Sequence, residues 1–387
     1  MADVSSVSAR AASWLVVLGA FAITSCHDPE KRPEEPSPSS VAAPPSSATA
    51  HAAPPVPSAS APFVPVKVTD DGQHAMGTHV SFAAYTTPTL GEPAARAAFD
   101  AAGNEIRRID TLMTTWRADS ELSRVNEAAG REKVVVSPET FEVVLAAIHT
   151  SEISEGTFDI TFESLHGLWK FDQDLDPHPP TAAAVKAKLP LVGYRHIHAD
   201  AAAHTIFLDQ AGTKISLGGI AKGYAVDRAA AVLAAAGLTS FFVQAGGDLY
   251  TRGKKPDGTD WAAGVRDPRG PDGAFFALLH VSDHAFSTAG DYERSYIVDG
   301  KRYHHIIDPR TGYPATATRS VTIWAPTALV ADEIDDAVFI LGPEKGLKLV
   351  ESLDGVGAVI VDAHNKVWVS KRIESGLQIL RQPTDAL

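Results

Sequence analysis

The chain has 387 residues, of which 34 are basic and 47 acidic, for a net charge of −13. This balance and the lack of a basic stripe argue against nucleic acid as a partner. A hydrophobic fraction of 44% is ordinary for a soluble protein, and the length allows one to three domains.

The N-terminal residues have the pattern of an export signal. Arg10 precedes an apolar run at 14–23 that is too short to span a bilayer but suits a signal-peptide core. The run Ile23-Thr24-Ser25-Cys26 is similar to a bacterial lipobox, in which cleavage leaves a lipid-modified cysteine first. An ordinary signal peptide with a chance cysteine is the alternative. Because Cys26 is the only cysteine, we favour lipidation there and predict a signal peptide over residues 1–25.

A tether is predicted to follow the lipidated cysteine. Residues 26–66 are dominated by Pro, Ser and Ala and lack the apolar mass for a core. We therefore expect a semi-extended segment that holds a globular domain, residues 67–383, in the cell envelope. The anchored protein is expected to face the periplasm or the cell exterior.

Strand-like and helix-like segments alternate along the globular part. The predicted elements are a strand at 79–85, helices at 93–114, 138–154 and 221–236, strands at 240–246 and 320–326, a helix that ends at Gly342, and a hairpin at 355–371 with Asn365 in its turn. This mixture predicts an α/β or α+β domain.

Acidic residues cluster in the predicted helix before Gly342. Asp332, Asp335 and Asp336 are three and four positions apart and so share one helix face, with Glu333 between them. Like charges this close repel unless a cation lies between them, which suggests a site for a divalent metal with oxygen ligands. A solvated acidic first turn of a helix is the alternative.

Two further motifs stand at places where ligands often bind. Gly218 and Gly219 precede a predicted helix that carries Lys222 in its first turn, a pattern typical of phosphate binding but equally of an ordinary glycine turn. His304 and His305 stand just before a turn, where a buried and internally bonded histidine is the alternative to a functional one.

Taken in order, these motifs resemble the ApbE family, the FAD:protein FMN transferases. The resemblance runs from about Met76 to Gly342. It is carried by Met76-Gly77-Thr78, the Trp116-Arg117-x-Asp119-Ser120-Glu121 run, Thr157-Phe158-Asp159, LGGIAKGYAVD at 217–227, Gly246-Gly247-Asp248, Thr288-Ala289-Gly290-Asp291, His305-Ile306-Ile307-Asp308-Pro309-Arg310-Thr311-Gly312 and Ala331-Asp332.

The resemblance implies a set of site residues. The positions that match the family's FAD contacts are Met76, Trp116, Thr157, Phe158, Asp159, Ser216, Lys222 and Ile306, the last through its backbone. The positions that match its magnesium ligands are Gly219, through a backbone carbonyl, and Asp332, Asp335 and Asp336. His305 and Asp332 are the two candidates for the catalytic base.

This sequence departs from the family pattern at the site. Ser216 stands where the family usually has Asp, which shortens and neutralises one polar contact with the cofactor. Asp336 stands where it usually has Thr, and Asp335 where a small polar residue is common. A carboxylate in place of a hydroxyl keeps an oxygen ligand and adds negative charge, which should preserve divalent binding.

The implied activity is transfer of FMN from FAD to a Thr or Ser hydroxyl of an acceptor protein, with Mg²⁺ as cofactor and AMP as the leaving product. The expected acceptor is a subunit of a membrane redox complex. Two alternatives remain open: hydrolysis of FAD to FMN and AMP, and a lipid-anchored protein that only binds flavin.

Overall fold

The computed structural model describes residues 62–171 and 174–386. The predicted signal peptide, the lipidation site Cys26 and nearly all of the predicted tether lie outside the described residues and stay predictions. Within the part that is described, no helix is both long enough and apolar enough to cross a membrane.

An antiparallel sheet of eight strands forms the centre of the fold. The strands in the described residues are β1 (Lys67–Ala75), β2 (Thr78–Tyr85), β3 (Val134–Val135), β4 (Ile197–Asp200), β5 (Thr205–Leu208), β6 (Phe241–Ala245), β7 (Asp248–Arg252), β8 (Trp261–Arg266), β9 (Phe275–Val281), β10 (Ala285–Gly290), β11 (Ser295–Val298), β12 (Lys301–His304), β13 (Ile307–Asp308), β14 (Tyr313–Pro314), β15 (Thr318–Ala325), β16 (Gly357–Asp362), β17 (Val367–Val369) and β18 (Leu377–Ile379). The central sheet has the order β1-β2-β6-β7-β10-β15-β16-β17, and every neighbouring pair is antiparallel.

Helices cover one face of this sheet. The helices in the described residues are α1 (Glu92–Met113), α2 (Glu121–Glu127), α3 (Pro138–Ile153), α4 (Ala182–Lys188), α5 (Ala221–Ala235), α6 (Ala328–Leu341), α7 (Pro343–Ser352) and α8 (Lys371–Glu374). Of these, α1, α5 and α6 pack side by side, and α5 and α6 also pack against strands of the central sheet. Helices on an antiparallel sheet make this an α+β fold, one of the two classes that the sequence predicted.

The other face of the sheet is covered by a second, three-stranded sheet. Its order is β18-β9-β8, and apolar side chains of β8 and β9 pack against Phe286 of β10 and Val359 and Val361 of β16. Because both faces are covered, all six residues of β16 are buried. A strand covered on both faces reads as a continuous apolar run rather than an alternating one.

Glycine allows the close approach of α5 and α6. A Cβ atom added to Gly223 would lie 2.1 Å from the carbonyl oxygen of Ala328 and 2.8 Å from Cβ of Asp332. These atoms belong to the backbone and the stem of α6, so no side-chain rotation could make room. The first turn of α5 is thereby held directly against the acidic face of α6.

The predicted elements of the globular part are confirmed, with boundaries that differ by one or two residues. Thr327 begins α6 by accepting a hydrogen bond from the backbone N–H of Val330, and Gly342 ends it at φ 78°. The hairpin of β16 and β17 turns at Asn365, which has φ 63°. It is not the last element, because α8 and β18 follow it.

Candidate active site

Lys222, in the first turn of α5, is the cation of the candidate site. Its Nζ donates to Oδ1 of Asp332 at 2.9 Å and lies 3.3 Å from Oδ2 of Asp248. Burial alone would lower the pKa of Lys222, but the carboxylates of Asp248 and Asp332 outweigh it and raise the pKa above its ordinary value. The lysine therefore stays charged at any physiological pH.

Two elements bring four carboxyl groups together around this lysine. Asp332, Asp335 and Asp336 come from α6, as the sequence predicted, and Asp248 from the start of β7. We call Asp248, Asp332, Asp335 and Asp336 the acidic cluster. Asp332 also accepts a hydrogen bond at 2.9 Å from the backbone N–H of Gly223, so its carboxylate ties α6 to α5.

Ser287 of β10 bridges two members of the acidic cluster. Its Oγ lies 2.6 Å from Oδ1 of Asp248 and 2.7 Å from Oδ2 of Asp335, and all three side chains are buried. A hydroxyl has one hydrogen to donate, so this pair of short contacts is most stable when one of the two carboxyl groups carries a proton. Burial and the neighbouring charges of Asp336 and Asp332 raise the pKa of Asp335 well above its ordinary value, which favours a proton on Asp335.

Asp336 lies against the glycine turn that precedes α5. A Cβ atom on Gly219 would stand 2.9 Å from Oδ2 of Asp336 and 3.4 Å from the ring of Phe158. The backbone of Gly219 and the carboxyl of Asp336 are therefore adjacent, as a shared metal site would require. Burial and the charge of Asp332 raise the pKa of Asp336 to about 6.

Glu333 points away from the acidic cluster. Its side chain faces Thr150 of α3, its Oε2 is buried without a hydrogen-bond partner, and burial raises its pKa to about 8. Glu333 follows Asp332 directly in the chain, and adjacent positions of a helix face different directions. Glu333 therefore lies off the face that the three aspartates share.

The residues present fit a divalent cation, although they do not already enclose one. Within the described ranges, no group of three His, Cys, Asp or Glu side chains has the arrangement to hold a metal ion. However, Oδ2 of Asp248 is buried without a hydrogen-bond partner, and burial together with the charge of Asp332 raises the pKa of Asp248 to about 7. One lysine does not balance four carboxyl groups, so a further cation would be stabilised here.

Met76 occupies the tight turn between β1 and β2. It has φ 52°, a conformation that is uncommon for a residue with a side chain, and Gly77 follows at φ 69°. The backbone N–H of Met76 donates to Oδ2 of Asp110 on α1 at 3.0 Å, which holds the turn. A strained conformation that is held in place is often found at a ligand site.

Trp116 is the most exposed large apolar side chain of the described residues, at 82% of its full accessible surface. Its ring meets the ring of His166 edge-on, at 6.3 Å between centroids. An indole of this size gains free energy when a planar ligand covers it. Its exposure is consistent with the predicted contact to FAD.

The predicted contacts Thr157, Phe158 and Asp159 are buried and bonded within the protein. Thr157 donates to the carbonyl oxygens of Ser154 and Ala337. The carboxylate of Asp159 accepts from Thr161 and from the backbone N–H of Tyr194 at 2.6 Å. These side chains are used within the protein, so a contact of this loop with a cofactor is left to its backbone or, for Phe158, to its ring.

The two histidines differ in their surroundings. His304 has both ring nitrogens bonded, with Nε2 2.7 Å from the carbonyl oxygen of Ala315 and Nδ1 accepting from the backbone N–H of Ile306. Nδ1 of His305 is buried without a hydrogen-bond partner. Burial and the charge of Arg294 hold the pKa of His305 well below its ordinary value, so its ring is neutral and one nitrogen is able to accept a proton.

Ser216 and Ile306 already use backbone groups in hydrogen bonds within the protein. The N–H of Ser216 donates to Ile160, and its Oγ accepts from Gly218 at 3.3 Å. The carbonyl of Ile306 accepts from Ala315. A carbonyl oxygen has two lone pairs, so that of Ile306 can still accept from a ligand.

Sequence reasoning missed two members of this arrangement, Asp248 and Ser287. Asp248 was named only within the Gly246-Gly247-Asp248 match to the family, and Ser287 was not singled out. Asp248 begins β7 and Ser287 lies within β10, both far along the chain from α6, so no local spacing connects them to it. Only the order of the sheet, in which β7 pairs with β10, brings them together.

Comparison with known proteins agrees with this geometry. The sequence model of the ApbE family matches residues 76–360. The FAD:protein FMN transferase of Klebsiella pneumoniae (strain 342) is 34% identical over 274 residues, which cover 69% of this chain and 78% of that protein. The FAD:protein FMN transferase of Treponema pallidum (strain Nichols) is 34% identical over 291 residues, or 71% of this chain and 80% of that protein.

Solved structures show the same fold. The ApbE protein of Thermotoga maritima superposes with a TM-score of 0.72 at 32% identity, covering 81% of this chain and 99% of that one. The flavin transferase ApbE of Vibrio cholerae superposes with a TM-score of 0.70 at 27% identity, covering 81% of this chain and all of that one.

Proposed function

The chain belongs to the ApbE family, and on that premise we propose that it is an FAD:protein FMN transferase. The oxygen of a Thr or Ser hydroxyl on an acceptor protein attacks the FMN-side phosphorus of FAD. The bond from that phosphorus to the AMP oxygen breaks, AMP leaves, and the hydroxyl proton passes to a base. The product is FMN joined to the acceptor by a phosphoester.

The position of Lys222 is the single observation that carries this proposal. A charged ammonium at the start of a helix, directly after paired glycines, is suited to hold a pyrophosphate. Salt bridges with Asp332 and Asp248 fix it in place, so little side-chain entropy is lost when the ligand binds. An exposed indole, Trp116, is available to cover a flavin or adenine ring.

The anionic dinucleotide and the acidic cluster would repel each other without a further cation. The residues that would hold Mg²⁺ are Gly219, through its carbonyl, and Asp332, Asp335 and Asp336. When bound, the ion would offset charge on the pyrophosphate oxygens. Asp335 must release its proton to become a ligand, so we expect Mg²⁺ affinity to rise with pH.

His305 is the better of the two candidates for the base. The carboxylate of Asp332 is already bonded to Lys222 and to the backbone N–H of Gly223. The Nδ1 atom of His305 has no such partner, and the neutral ring can take the acceptor's proton. We expect His305→Ala to lower the rate of transfer with little change in FAD affinity.

The decisive experiment separates transfer from the two alternatives. The residues 62–387 fragment is incubated with FAD, Mg²⁺ and a candidate acceptor domain, and the acceptor is examined for covalently bound fluorescent flavin. Transfer gives a fluorescent acceptor band and AMP. Free FMN and AMP without the band would indicate hydrolysis, and FAD binding without AMP would indicate a flavin-binding protein.

We also propose that the enzyme is lipid-anchored in the cell envelope. The support is the lipobox-like run before Cys26 and the Pro/Ser/Ala-rich segment after it. Wild-type protein should carry fatty acids on Cys26 and partition with membranes, whereas Cys26→Ser should not. A wild-type protein with an unmodified Cys26 would contradict this.

A further inference from the structure

A carboxylate of α5 that lies outside the acidic cluster holds the start of α6. Oδ1 of Asp227 accepts a hydrogen bond from the backbone N–H of Ala328 at 2.8 Å, and Oδ2 accepts from that of Leu329 at 2.9 Å. These are the first two residues of α6. Asp227 ends the run at 217–227 that matches the ApbE family, but it is not among the residues matched to FAD or metal contacts.

The contact supplies hydrogen-bond acceptors that α6 does not provide for itself. The first N–H groups of a helix have no partner within that helix. Thr327, the residue before α6, accepts only from the backbone N–H of Val330, at 3.3 Å. Asp227 serves Ala328 and Leu329, and its negative charge there is favoured by the helix dipole. Thr327 therefore acts within its own helix, whereas Asp227 fastens α6 to α5.

A second carboxylate makes the same kind of contact in the opposite direction. Asp332 of α6 accepts from the backbone N–H of Gly223, in the first turn of α5. Asp227 follows Gly223 by four positions, and Asp332 follows Ala328 by four positions. The two contacts are thus about one turn apart on each helix. A single contact would leave α6 free to rotate or slide on α5, and two that are spaced by a turn oppose both motions.

The acidic cluster depends on how α6 is rotated about its axis. Helix side chains reach about 5–6 Å from the axis, so a rotation of about 10° moves a carboxylate by about 1 Å. Lys222 belongs to α5, so such a rotation would displace Asp335 and Asp336 relative to its ammonium group. A displacement of about 1 Å at a reacting centre can lower a rate by about 10²-fold.

We propose that Asp227 is a positioning residue for the candidate site: it fixes α6 on α5, and with it the place of the acidic cluster around Lys222. Each of its oxygens already accepts a hydrogen bond, so its role is to place other groups. The consequence for catalysis rests on the proposed function, but the consequence for the α5–α6 contact does not. A carboxylate that served only as a helix cap would stabilise α6 without affecting the contact of Asp332 with Gly223.

The first test is a double-mutant cycle, measured by urea unfolding of the full chain. Asn in place of Asp227 or Asp332 keeps one acceptor oxygen and loses the other. If loss of the first contact also disturbs the second, the double variant should lose less stability than the two single variants together, by about fivefold or more in the unfolding equilibrium constant. Repulsion between the two carboxylates would give the opposite sign, because it is relieved only once.

Thr327→Ala is the matched control, because it removes a hydrogen bond from the same end of α6 without touching α5. Combined with Asp332→Asn, it should be additive within about twofold. The proposal would be overturned if Asp227→Asn were equally additive with Asp332→Asn, or if that double variant lost more stability than the sum.

The second test is calorimetric titration of Mg²⁺ into the full chain, which requires no turnover. Asp227→Asn should weaken Mg²⁺ binding about tenfold or more, as is typical when the support of a metal ligand is lost, and Thr327→Ala should leave it unchanged. Wild-type affinity in Asp227→Asn, or equal weakening by both variants, would show that Asp227 is only a cap. If the wild type bound no Mg²⁺, the magnesium part of the proposed function would fail, and the double-mutant cycle would still decide the role of Asp227.

Discussion

The acidic cluster and the pair of Arg269 with Asp291 are two regions where this fold buries charge, and they differ in how that charge is balanced. Each acts on one member of the histidine pair: the charges of Asp291 and Arg269 act on His304, and the charge of Lys222 acts on His305. One region has four carboxyl groups around one ammonium, whereas in the other one guanidinium faces one carboxylate through two parallel hydrogen bonds.

Elsewhere in the same fold, buried charge is matched. Asp267 is fully buried and accepts from the backbone N–H and the hydroxyl of Thr384 and lies 3.5 Å from Arg381. Such a group holds two parts of the chain together and has nothing left for a ligand. The difference teaches that an imbalance of buried charge, rather than burial of charge as such, distinguishes the candidate site from a structural ion pair.

The largest effect should follow from Asp332→Ala. Removal of this carboxylate takes away the partner of Lys222 and of the backbone N–H of Gly223, and leaves phosphate charge uncompensated. We expect transfer to fall by about 10²-fold or more, measured as FMN-labelled acceptor per minute.

Asp332→Asn is the matched control for this prediction. It keeps the shape and one acceptor oxygen but not the charge, so it should restore folding without restoring transfer. Near-wild-type transfer by Asp332→Asn would show that the charge of the acidic cluster is not what the reaction needs. The excess of negative charge in the acidic cluster would then not be a requirement of the reaction.

The next largest effect concerns stability. Gly223→Ala should lower the free energy of unfolding by about 2–4 kcal/mol, because the new methyl group would meet backbone atoms of α6. Gly103→Ala is the control: its methyl group would meet only the flexible side-chain end of Gln73, and it should change stability by about 1 kcal/mol or less. Urea unfolding measures both, and equal losses would show that the α5–α6 contact is not unusually tight.

A smaller effect should appear with pH. Burial lowers the pKa of His304, while the nearby Asp291 opposes this and Arg302 and Arg269 add to it. The folded protein thus binds this proton less readily than the unfolded chain, and stability should fall as pH drops below about 6.5. Each unit of pKa difference contributes about 1.4 kcal/mol to that loss.

His304→Gln should flatten the pH dependence of urea unfolding between about pH 7 and pH 5. His305 has a lowered pKa as well, so His305→Gln is made in parallel to separate the two contributions. A slope that neither variant changes would mean that neither ring has a pKa different from that of the unfolded chain. That result would contradict the lowered pKa values of His304 and His305.

How much of the candidate site could be predicted from the sequence depends on how far apart in the chain its interacting residues lie. The three aspartates of α6 are predictable because helical spacing places them on one face, and the same spacing sends Glu333 elsewhere. The partner of Lys222 could not be found this way, since Asp332 follows it by 110 positions. Ser287 and Asp248 are likewise joined only through the order of strands in the sheet, which local pattern does not fix.

Motif matching gave positions but not their surroundings. Asp159 matches a family contact with FAD, yet its carboxylate is used within the protein to hold Thr161 and Tyr194. The pair of Arg319 with Asp385 was not predicted at all, because the two residues are 66 positions apart along the chain. Each is unremarkable in its own stretch of sequence.

The smallest effect is expected from Asp336→Thr, which restores the residue usual in the family. This variant also tests the acidic cluster most specifically. The hydroxyl keeps an oxygen beside Gly219 but removes a carboxylate whose pKa is about 6 and which is therefore mostly ionised at neutral pH. Losing one negative charge should weaken Mg²⁺ binding, and it should also weaken the repulsion of FAD. We expect transfer at saturating Mg²⁺ within about fivefold of wild type, or about 1 kcal/mol, with a higher Mg²⁺ concentration for half-maximal activity. Asp336→Ala, which leaves no oxygen, should lose far more. If Asp336→Thr were instead inactive at every Mg²⁺ concentration, the fourth carboxylate would be an essential part of this site, and its excess of negative charge would serve the reaction directly.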